Sequence, residues 1–186
     1  MRKLALLAGV AGLLVAGSAR AALTPGQTAP AFVAPATLGG KEFRFSLAET
    51  LKHGPVVLYF YPAAFTHGCT LEAHAFAAAM DRFKSLGASV VGVSGDDIAT
   101  LNRFSVSECQ SKFPLVADGD RRIMKAYHAV LVPFTSYASR TSYVITPDGN
   151  VLYAYSAMSP DRHVENTYNA LAVWRAKHPV ETATQR

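Results

Sequence analysis

The sequence from Pro55 to Thr70 reads PVVLYFYPAAFTHGCT and contains one of only two cysteines in the 186-residue chain. Its first part, Pro55–Tyr61, is a continuous apolar, β-branched and aromatic run, which is typical of a strand covered on both faces. Beyond Cys69, apolar residues recur at helical spacing as far as Gly87, namely Leu71, Phe76, Met80 and Phe83. The stretch therefore predicts a central strand that leads directly into a helix, with Cys69 in the first turn of that helix.

The segments on either side predict the other elements of an α/β domain. Short extended runs flank Gly39-Gly40, and a second hairpin surrounds Pro147-Asp148-Gly149. The pattern between them predicts a strand at Ala88–Val93, a helix capped by Asp96 or Asp97, a short strand at Phe113–Ala117 and a helix at Arg121–Tyr127. Ser159-Pro160 is expected to open the last helix. Because parallel strands need helical crossovers and hairpins pair antiparallel, this order predicts a three-layer sandwich with a central mixed sheet, as in the thioredoxin-like fold.

The N-terminus has the pattern of a secretory signal peptide. A positive start, Met1–Lys3, precedes an apolar run from Leu4 to Gly17 and a small-x-small site that ends at Ala21. The alternative of a membrane anchor is disfavoured, because the run of 14 residues is shorter than the about 20 that a spanning helix needs. We expect cleavage after Ala21. This would leave one domain, residues 22–186, that is exported, periplasmic and without a stable membrane anchor.

The net charge of the chain, +5 at pH 7, partly reflects this leader. Arg2, Lys3 and Arg20 lie within it, and the rest of the sequence contains no cluster of lysine or arginine. Nucleic-acid binding is therefore not expected. In an exported protein, two cysteines are compatible with a structural disulfide or with a redox pair, and composition does not separate the two.

The predicted position of Cys69 favours reactivity. The end of a central strand is the edge of an open α/β sheet where functional sites gather. Free backbone N–H groups and the helix dipole at the start of a helix stabilise an anion, so they favour the thiolate, which is the nucleophilic form of cysteine. The sequence therefore indicates a reactive cysteine at this junction.

The residues around Cys69 resemble the active-site pattern of the peroxiredoxins, P-x-x-x-T-x-x-C. The pattern here is Tyr61-Pro62-x-x-x-Thr66-x-x-Cys69-Thr70-x-Glu72, a form similar to that of the bacterioferritin-comigratory-protein branch, also called PrxQ. Two further segments extend the resemblance over most of residues 22–186, namely Gly26-x-x-Ala29-Pro30-x-Phe32 and Arg140-Thr141-Ser142.

This resemblance implies a thiol-dependent peroxidase that reduces hydrogen peroxide or organic hydroperoxides without a metal or flavin cofactor. It implies that Cys69 is the peroxidatic nucleophile, which becomes a sulfenic acid. Thr66 would hold the peroxide in line, and Pro62 would shield the thiolate from water. Arg140 would stabilise the thiolate and the leaving oxygen, while Glu72 would orient an arginine or cap the helix.

Cys109 is the expected resolving residue under the same resemblance. Some PrxQ-like members carry a resolving cysteine five residues after the peroxidatic one, but His74 occupies that position here. The other route in the family places the resolving thiol on the next helix, where Cys109 is expected. A thioredoxin-like donor, exported like this protein, would then reduce the Cys69–Cys109 disulfide. The alternative is that Cys109 is a buried core residue and that an outside thiol reduces Cys69 directly.

Two other functions are compatible with the residues. His67 and His74 flank Cys69, and sulfur and imidazole together could bind copper or zinc in an exported metal carrier. An exported thiol-disulfide exchange protein normally uses C-x-x-C, but Thr66 occupies the earlier position. The remaining histidines show no grouping and are expected to be surface or packing residues: His53, His128, His163 and His178.

An apolar connection, VLVPFTSYA from Val130 to Ala138, precedes Arg140. We expect it either to line the peroxide entrance or to contact a second subunit, because exposed apolar patches often mark binding surfaces. A monomer and a homodimer are both compatible with this pattern.

Overall fold

The computed structural model describes residues 21–179. The expected signal peptide therefore lies, apart from Ala21, outside the described residues. The described part contains seven strands and five helices in this order: β1 (Val33–Leu38), β2 (Lys41–Ser46), α1 (Leu47–Leu51), β3 (Val56–Phe60), α2 (His67–Ser85), β4 (Ser89–Ser94), α3 (Ile98–Ser107), β5 (Leu115–Ala117), α4 (Arg122–Ala126), β6 (Thr141–Ile145), β7 (Val151–Ser156) and α5 (His163–Lys177).

The strands form one mixed sheet in the order β2-β1-β5-β4-β3-β6-β7. β4 pairs in parallel with both β3 and β5, because helices α2 and α3 carry the chain back across the sheet. The remaining neighbours pair antiparallel, including the two hairpins β1–β2 and β6–β7. The predicted α/β architecture with a central mixed sheet is confirmed.

β3 lies near the middle of the sheet and is buried along its whole length. Its side chains alternate between the two faces. Val56, Leu58 and Phe60 join one core cluster with residues of α1 and α4, whereas Val57 and Tyr59 join a second cluster with residues of α2, α3 and α5. The sheet therefore has a layer of helices on each face, which is why the strand sequence is apolar without alternation.

Most helices and strands begin and end close to the positions predicted from the sequence. Gly39 and Gly40 form the two-residue turn of the first hairpin with φ values of 59° and 77°, which only glycine adopts freely. Asp97 caps α3 by accepting a 2.7 Å bond from the Thr100 amide. The predicted start of the last helix at Ser159 is wrong, since α5 begins at His163 and the Ser159 hydroxyl bonds to Asp161 instead.

Within residues 21–179, no helix has both the length and the apolar character that crossing a membrane requires.

Candidate active site

The loop between β3 and α2 is held in a fixed position. The Ala64 amide donates a 2.8 Å hydrogen bond to the Asp96 carboxylate, which also accepts a 2.7 Å bond from the Ser94 hydroxyl at the end of β4. Phe65 adopts a left-handed backbone conformation, and its ring packs edge-on against Phe104 with centroids 5.1 Å apart. The neighbouring strand and α3 therefore fix the direction in which the chain enters α2.

Cys69 lies in the first turn of α2, as the sequence predicts. Thr66 is the N-cap residue, so Cys69 is the third residue inside the helix. Its thiol is free and its side chain is 2% exposed. The sulfur accepts a hydrogen bond from Arg140 Nη2 at 3.4 Å. The start of a helix and a guanidinium thus act on the same sulfur, and both stabilise a thiolate.

Arg140 directs its guanidinium at three acceptors. Nη2 contacts Cys69 Sγ, Nη1 bonds to Glu72 Oε2, and Nε donates a 3.0 Å bond to the Met158 carbonyl. The residue is 4% exposed. A Cβ atom at Gly68 would lie 3.1 Å from Nη2, so the absence of a side chain at this position leaves room for the guanidinium. Arg140 is therefore fixed in orientation as well as in position.

Glu72 lies one helical turn beyond Cys69 and is fully buried. One oxygen, Oε2, accepts from Arg140, while Oε1 has no hydrogen-bond partner among the described residues. Burial raises the pKa of Glu72 to about 8, although the charge of Arg140 and its hydrogen bond act in the opposite direction. Burial therefore favours the neutral form of this carboxyl group, whereas Arg140 favours the ionised form.

His163 completes this buried network, and no local sequence pattern singled it out. It is fully buried at the start of α5, and its Nδ1 lies 3.7 Å from Glu72 Oε1. Nδ1 is 2.8 Å from the Ser142 hydroxyl, and Nε2 is 2.9 Å from the Ala157 carbonyl. Burial lowers the pKa of His163 to about 4, and the charge of Arg140 adds to this effect. His163 is thus a packing residue, as one of the two expected alternatives has it, but it also belongs to a buried polar group with Glu72 that the sequence did not indicate.

Pro62 and Thr66 lie in the loop that leads into Cys69. Pro62 is partly buried, whereas Thr66 is exposed. The Thr66 hydroxyl donates a 3.0 Å bond to the Ala63 carbonyl and forms no capping bond with the helix. Its oxygen remains able to accept a hydrogen bond from a molecule that approaches the N-terminus of α2.

Cys109 is fully buried, and it lies beyond the end of α3 rather than in that helix. Its amide donates to the Phe104 carbonyl at 3.1 Å, and its carbonyl accepts from the Lys112 amide at 3.0 Å. Gln110 and Ser111 both have left-handed φ values, 52° and 55°. Burial raises the pKa of the Cys109 thiol well above its usual value, and the neighbouring Glu108 adds to the rise. The expected position on the helix is therefore corrected to the tight turn that follows it.

The two cysteines are both free and belong to the same core cluster. His74, which follows Cys69 on α2, contacts Glu108, the residue before Cys109, with Nε2 and Oε2 2.8 Å apart. This pair connects the helix that carries Cys69 to the turn that carries Cys109.

The histidines beside Cys69 do not converge with it on a common centre. His67 is exposed, and His74 is engaged by Glu108. Throughout residues 21–179, no group of three or more His, Cys, Asp or Glu side chains is gathered in a way that could hold a metal ion. The geometry therefore offers no support for the copper or zinc alternative.

The apolar connection from Val130 to Ala138 forms a loop closed by a bridge between its two ends. Four of its large hydrophobic side chains are exposed, and Phe134 is 97% exposed: Leu131, Val132, Phe134 and Tyr137. Ser136 packs tightly against Gly95, just beyond the end of β4. The loop thus lies at the same edge of the sheet as Cys69.

Comparison with known proteins gives a consistent result. The sequence pattern of the AhpC/TSA family matches residues 25–154. The chain is 34% identical to peroxiredoxin Q, chloroplastic, of Oryza sativa subsp. japonica over 150 residues, which are 80% of this chain and 67% of that protein. It is also 34% identical to peroxiredoxin Q, chloroplastic, of Sedum lineare over 152 residues, 81% of this chain and 79% of that protein.

Solved structures show the same likeness. The crystal structure of peroxidoxin BcpB from Mycobacterium tuberculosis superposes with a TM-score of 0.73 and 30% identity, over 80% of this chain and 96% of that one. Peroxiredoxin Q from Xanthomonas campestris superposes with a TM-score of 0.65 and 28% identity, over 75% of this chain and 89% of that one.

Proposed function

The chain belongs to the AhpC/TSA family and is a peroxiredoxin, a thiol-dependent peroxidase, and from this premise we propose that Cys69 is its peroxidatic residue. The thiolate attacks one oxygen of hydrogen peroxide or of an organic hydroperoxide. A sulfur–oxygen bond forms, the peroxide bond breaks, and the leaving oxygen takes up a proton to give water or an alcohol. Cys69 is left as a sulfenic acid.

The contact between Arg140 and Cys69 is the observation that carries this proposal. A guanidinium is permanently charged, and in a buried site with little water its charge acts strongly on nearby groups. Because Nη2 is 3.4 Å from the sulfur, it stabilises the thiolate before the reaction and the negative charge that develops on the leaving oxygen during it. The surrounding contacts to Glu72 and Met158 hold the guanidinium in place, so little reorganisation accompanies the reaction.

Thr66 and Pro62 supply positioning and shielding. The Thr66 oxygen accepts a hydrogen bond from the peroxide hydroxyl and holds the peroxide in line with the sulfur. Pro62 lacks a backbone N–H group and covers part of the approach to the thiolate. Both roles fit the position of these residues in the loop at the start of α2.

Cys109 is proposed as the resolving cysteine, which forms a disulfide with Cys69. A disulfide needs Cα atoms within about 7 Å and matching Cβ directions, and Cys109 starts from a fully buried turn. Two consecutive non-glycine residues in the left-handed region, Gln110 and Ser111, store about 1–3 kcal/mol each. Release of this strain favours local opening of the turn, which would bring the thiol out of the core.

The proposed cycle closes with a thioredoxin-like reductant. A dithiol donor reduces the Cys69–Cys109 disulfide by thiol–disulfide exchange. The N-terminal sequence pattern supports export to the periplasm, where the donor must also be located. Such a compartment permits the disulfide to form and persist between turnovers.

Peroxide consumption by the Cys69→Ser and Cys109→Ser variants tests the assignment. Cys69→Ser should consume no peroxide with any reductant. Cys109→Ser should still react once per molecule but should form no intramolecular disulfide, as judged by intact mass. Turnover of Cys69→Ser would refute the role of Cys69. Undiminished turnover of Cys109→Ser with a thioredoxin-like donor would instead support direct reduction of Cys69 by an outside thiol.

A further inference from the structure

We propose that Glu72 and Cys69 share one negative charge across Arg140, so that Glu72 holds a proton while Cys69 is a thiolate and loses it when Cys69 is oxidised. Arg140 contacts both groups, with Nη2 on the Cys69 sulfur and Nη1 on the Glu72 carboxyl. This inference rests on the proposed peroxidatic role of Cys69 and concerns the charge of the same site.

The buried cluster contains one permanent cation and two acids. Cys69, Glu72 and Arg140 are 2%, 0% and 4% exposed. A thiolate and a carboxylate together with one guanidinium would leave an uncompensated negative charge in this dry environment, which is strongly unfavourable. One proton on either acid restores neutrality. The helix N-terminus acts on Cys69 from the first turn, so the proton is expected on Glu72.

The groups that face Glu72 agree with this assignment. From β3, Tyr59 remains a neutral phenol, because burial raises its pKa well above 10. From α5, His163 is neutral, and its Nε2 must carry the proton because it lies 2.9 Å from the Ala157 carbonyl. Nδ1 is therefore an acceptor, which takes the Ser142 hydroxyl at 2.8 Å, and it adds no positive charge 3.7 Å from Glu72 Oε1.

Glu72 Oε1 is the atom that would carry the proton. It is buried and has no hydrogen-bond partner among the described residues, an arrangement that is costly for an ionised oxygen. A protonated oxygen at this position carries no charge and avoids much of that cost. Because Glu72 does not contact the reacting atoms, it is a positioning residue that acts through Arg140.

Oxidation then changes the charge of Cys69 without changing the charge of the cluster. The sulfur electron pair forms the S–O bond, and the O–O bond breaks with its electron pair on the leaving oxygen, which takes one proton. The sulfenic acid is neutral, so Glu72 releases one proton and forms a complete ion pair with Arg140. The cluster carries no net charge before or after the step. The leaving oxygen takes up one proton and Glu72 releases one, so there is no net proton exchange with the solvent.

Infrared difference spectroscopy between reduced and oxidised protein tests this proposal. The full-length protein should lose the C=O stretching band of a protonated carboxyl group when one equivalent of peroxide is added. Labelling with ¹³C-glutamate should shift this band, which separates it from Asp118, a buried carboxyl whose pKa is raised to about 6. Glu72→Gln should lack the band, and Glu165→Gln, at an exposed ion pair, should retain it.

Proton uptake gives a second readout on the same samples. With thiolate absorbance confirming that Cys69 is ionised, the wild-type protein should take up almost no protons on oxidation in weak buffer, whereas Glu72→Gln should take up about one per thiol. Uptake of about one proton by the wild type, without loss of the carboxyl band, would overturn the proposal.

A neutral blocking reagent separates this proposal from the peroxidase assignment. Methyl methanethiosulfonate converts the Cys69 thiolate to an uncharged mixed disulfide without peroxide, and the carboxyl band should disappear with it as well. Persistence of the band after complete blocking, judged by intact mass, would overturn the shared charge. Failure of peroxide to modify Cys69 would count against the peroxidatic role alone. The shared charge of Cys69 and Glu72 would then be decided by the result with the blocking reagent.

Discussion

Arg140 Nη2 lies 3.4 Å from Cys69 Sγ, although the two residues are 71 positions apart in the chain. The sheet explains this proximity. β3 and β6 pair antiparallel with Phe60 opposite Thr141, so the end of β3 and the start of β6 lie side by side. The chain that leaves β3 enters α2 at Cys69, while Arg140 immediately precedes β6. The register of these two strands therefore sets the distance between the guanidinium and the thiol.

Replacement of Arg140 by lysine should slow the reaction of Cys69 with peroxide by about 10²-fold. A lysine keeps the charge, but its three N–H donors share one nitrogen. It therefore cannot reproduce the planar group whose three nitrogens reach Cys69, Glu72 and Met158. Stopped-flow measurement of the second-order rate constant checks this. Arg82→Lys, at an exposed ion pair, is the control and should be unchanged. A rate within twofold of the wild type for Arg140→Lys would contradict the electrostatic role.

Removal of the Thr66 hydroxyl should lower the same rate constant by about 10- to 100-fold, because a hydroxyl in this position aligns the peroxide. Thr66→Val preserves the shape of the side chain and removes the oxygen. Thr66→Ser preserves the oxygen and should stay close to the wild type. Equal losses in the two variants would mean that the side chain serves only the turn.

A methyl group at position 68 should disturb the site without destabilising the protein. In Gly68→Ala, the added Cβ would lie 3.1 Å from Arg140 Nη2 and displace the guanidinium slightly, so we expect a loss of peroxide reactivity of about 10-fold. Gly119→Ala is a matched control, since nothing lies within 4 Å of its Cβ position. Thermal denaturation should show that both variants remain folded, and full reactivity of Gly68→Ala would indicate that Arg140 tolerates the shift.

Loss of the His74–Glu108 contact should speed disulfide formation. His74→Ala removes a contact that holds the turn of Cys109 against α2, and a partly exposed pair of this kind contributes up to about 1 kcal/mol. We expect a two- to fivefold faster appearance of the disulfide, followed by quenched-flow mass analysis, with little change in the first reaction with peroxide. Lys52→Ala, which breaks another exposed ion pair, should have no effect. A slower disulfide step in His74→Ala would refute this.

Protonation of His163 should destabilise the protein at acidic pH. Its pKa falls from 6.5 to about 4 on folding, so between these values the unfolded chain binds more protons than the folded chain. The contribution of His163 to the free energy of unfolding should therefore decrease as the pH falls from about 6.5 to 4, by an amount on the order of 3 kcal/mol. The raised pKa values of Glu72 and Asp118 act in the opposite direction, so the contribution of His163 is read as the difference between the wild type and a His163 variant. Urea denaturation across this range checks the effect. The stability difference between the wild type and His163→Gln should shrink as the pH falls through this range, whereas the difference between the wild type and His53→Asn, at an exposed position, should stay constant.

The fold was largely predictable because its signals are local. The apolar run of β3, the helical spacing after Cys69 and the glycine turn at Gly39-Gly40 each specify one element within a few residues. The order of the elements then restricts the sheet to a mixed arrangement. The start of α5 was misplaced because Ser159 has the composition of a helix cap but uses its hydroxyl to bind Asp161.

The site was predictable only in part. Cys69, Thr66 and Pro62 share one short motif, and Arg140 was found by resemblance. The burial of Glu72 and its approach to His163 depend on how α2 and α5 pack against the sheet, and a side chain 91 positions away leaves no periodic signal at Glu72. The turn at Cys109 was missed for a similar reason, since two left-handed residues without glycine have no distinctive sequence.

The enclosure of Cys109 has a consequence for survival of the enzyme under oxidative stress. Under the proposed resolution by Cys109, a newly formed sulfenic acid on Cys69 would persist until the turn opens. During that time a second peroxide molecule could convert it to sulfinic acid, which ordinary thiols do not reverse. The opening frequency of residues 108–112 would then set the dose of oxidant at which catalysis is permanently lost. Substitutions that loosen that turn should lower the thermal stability of the protein and raise its resistance to inactivation by peroxide.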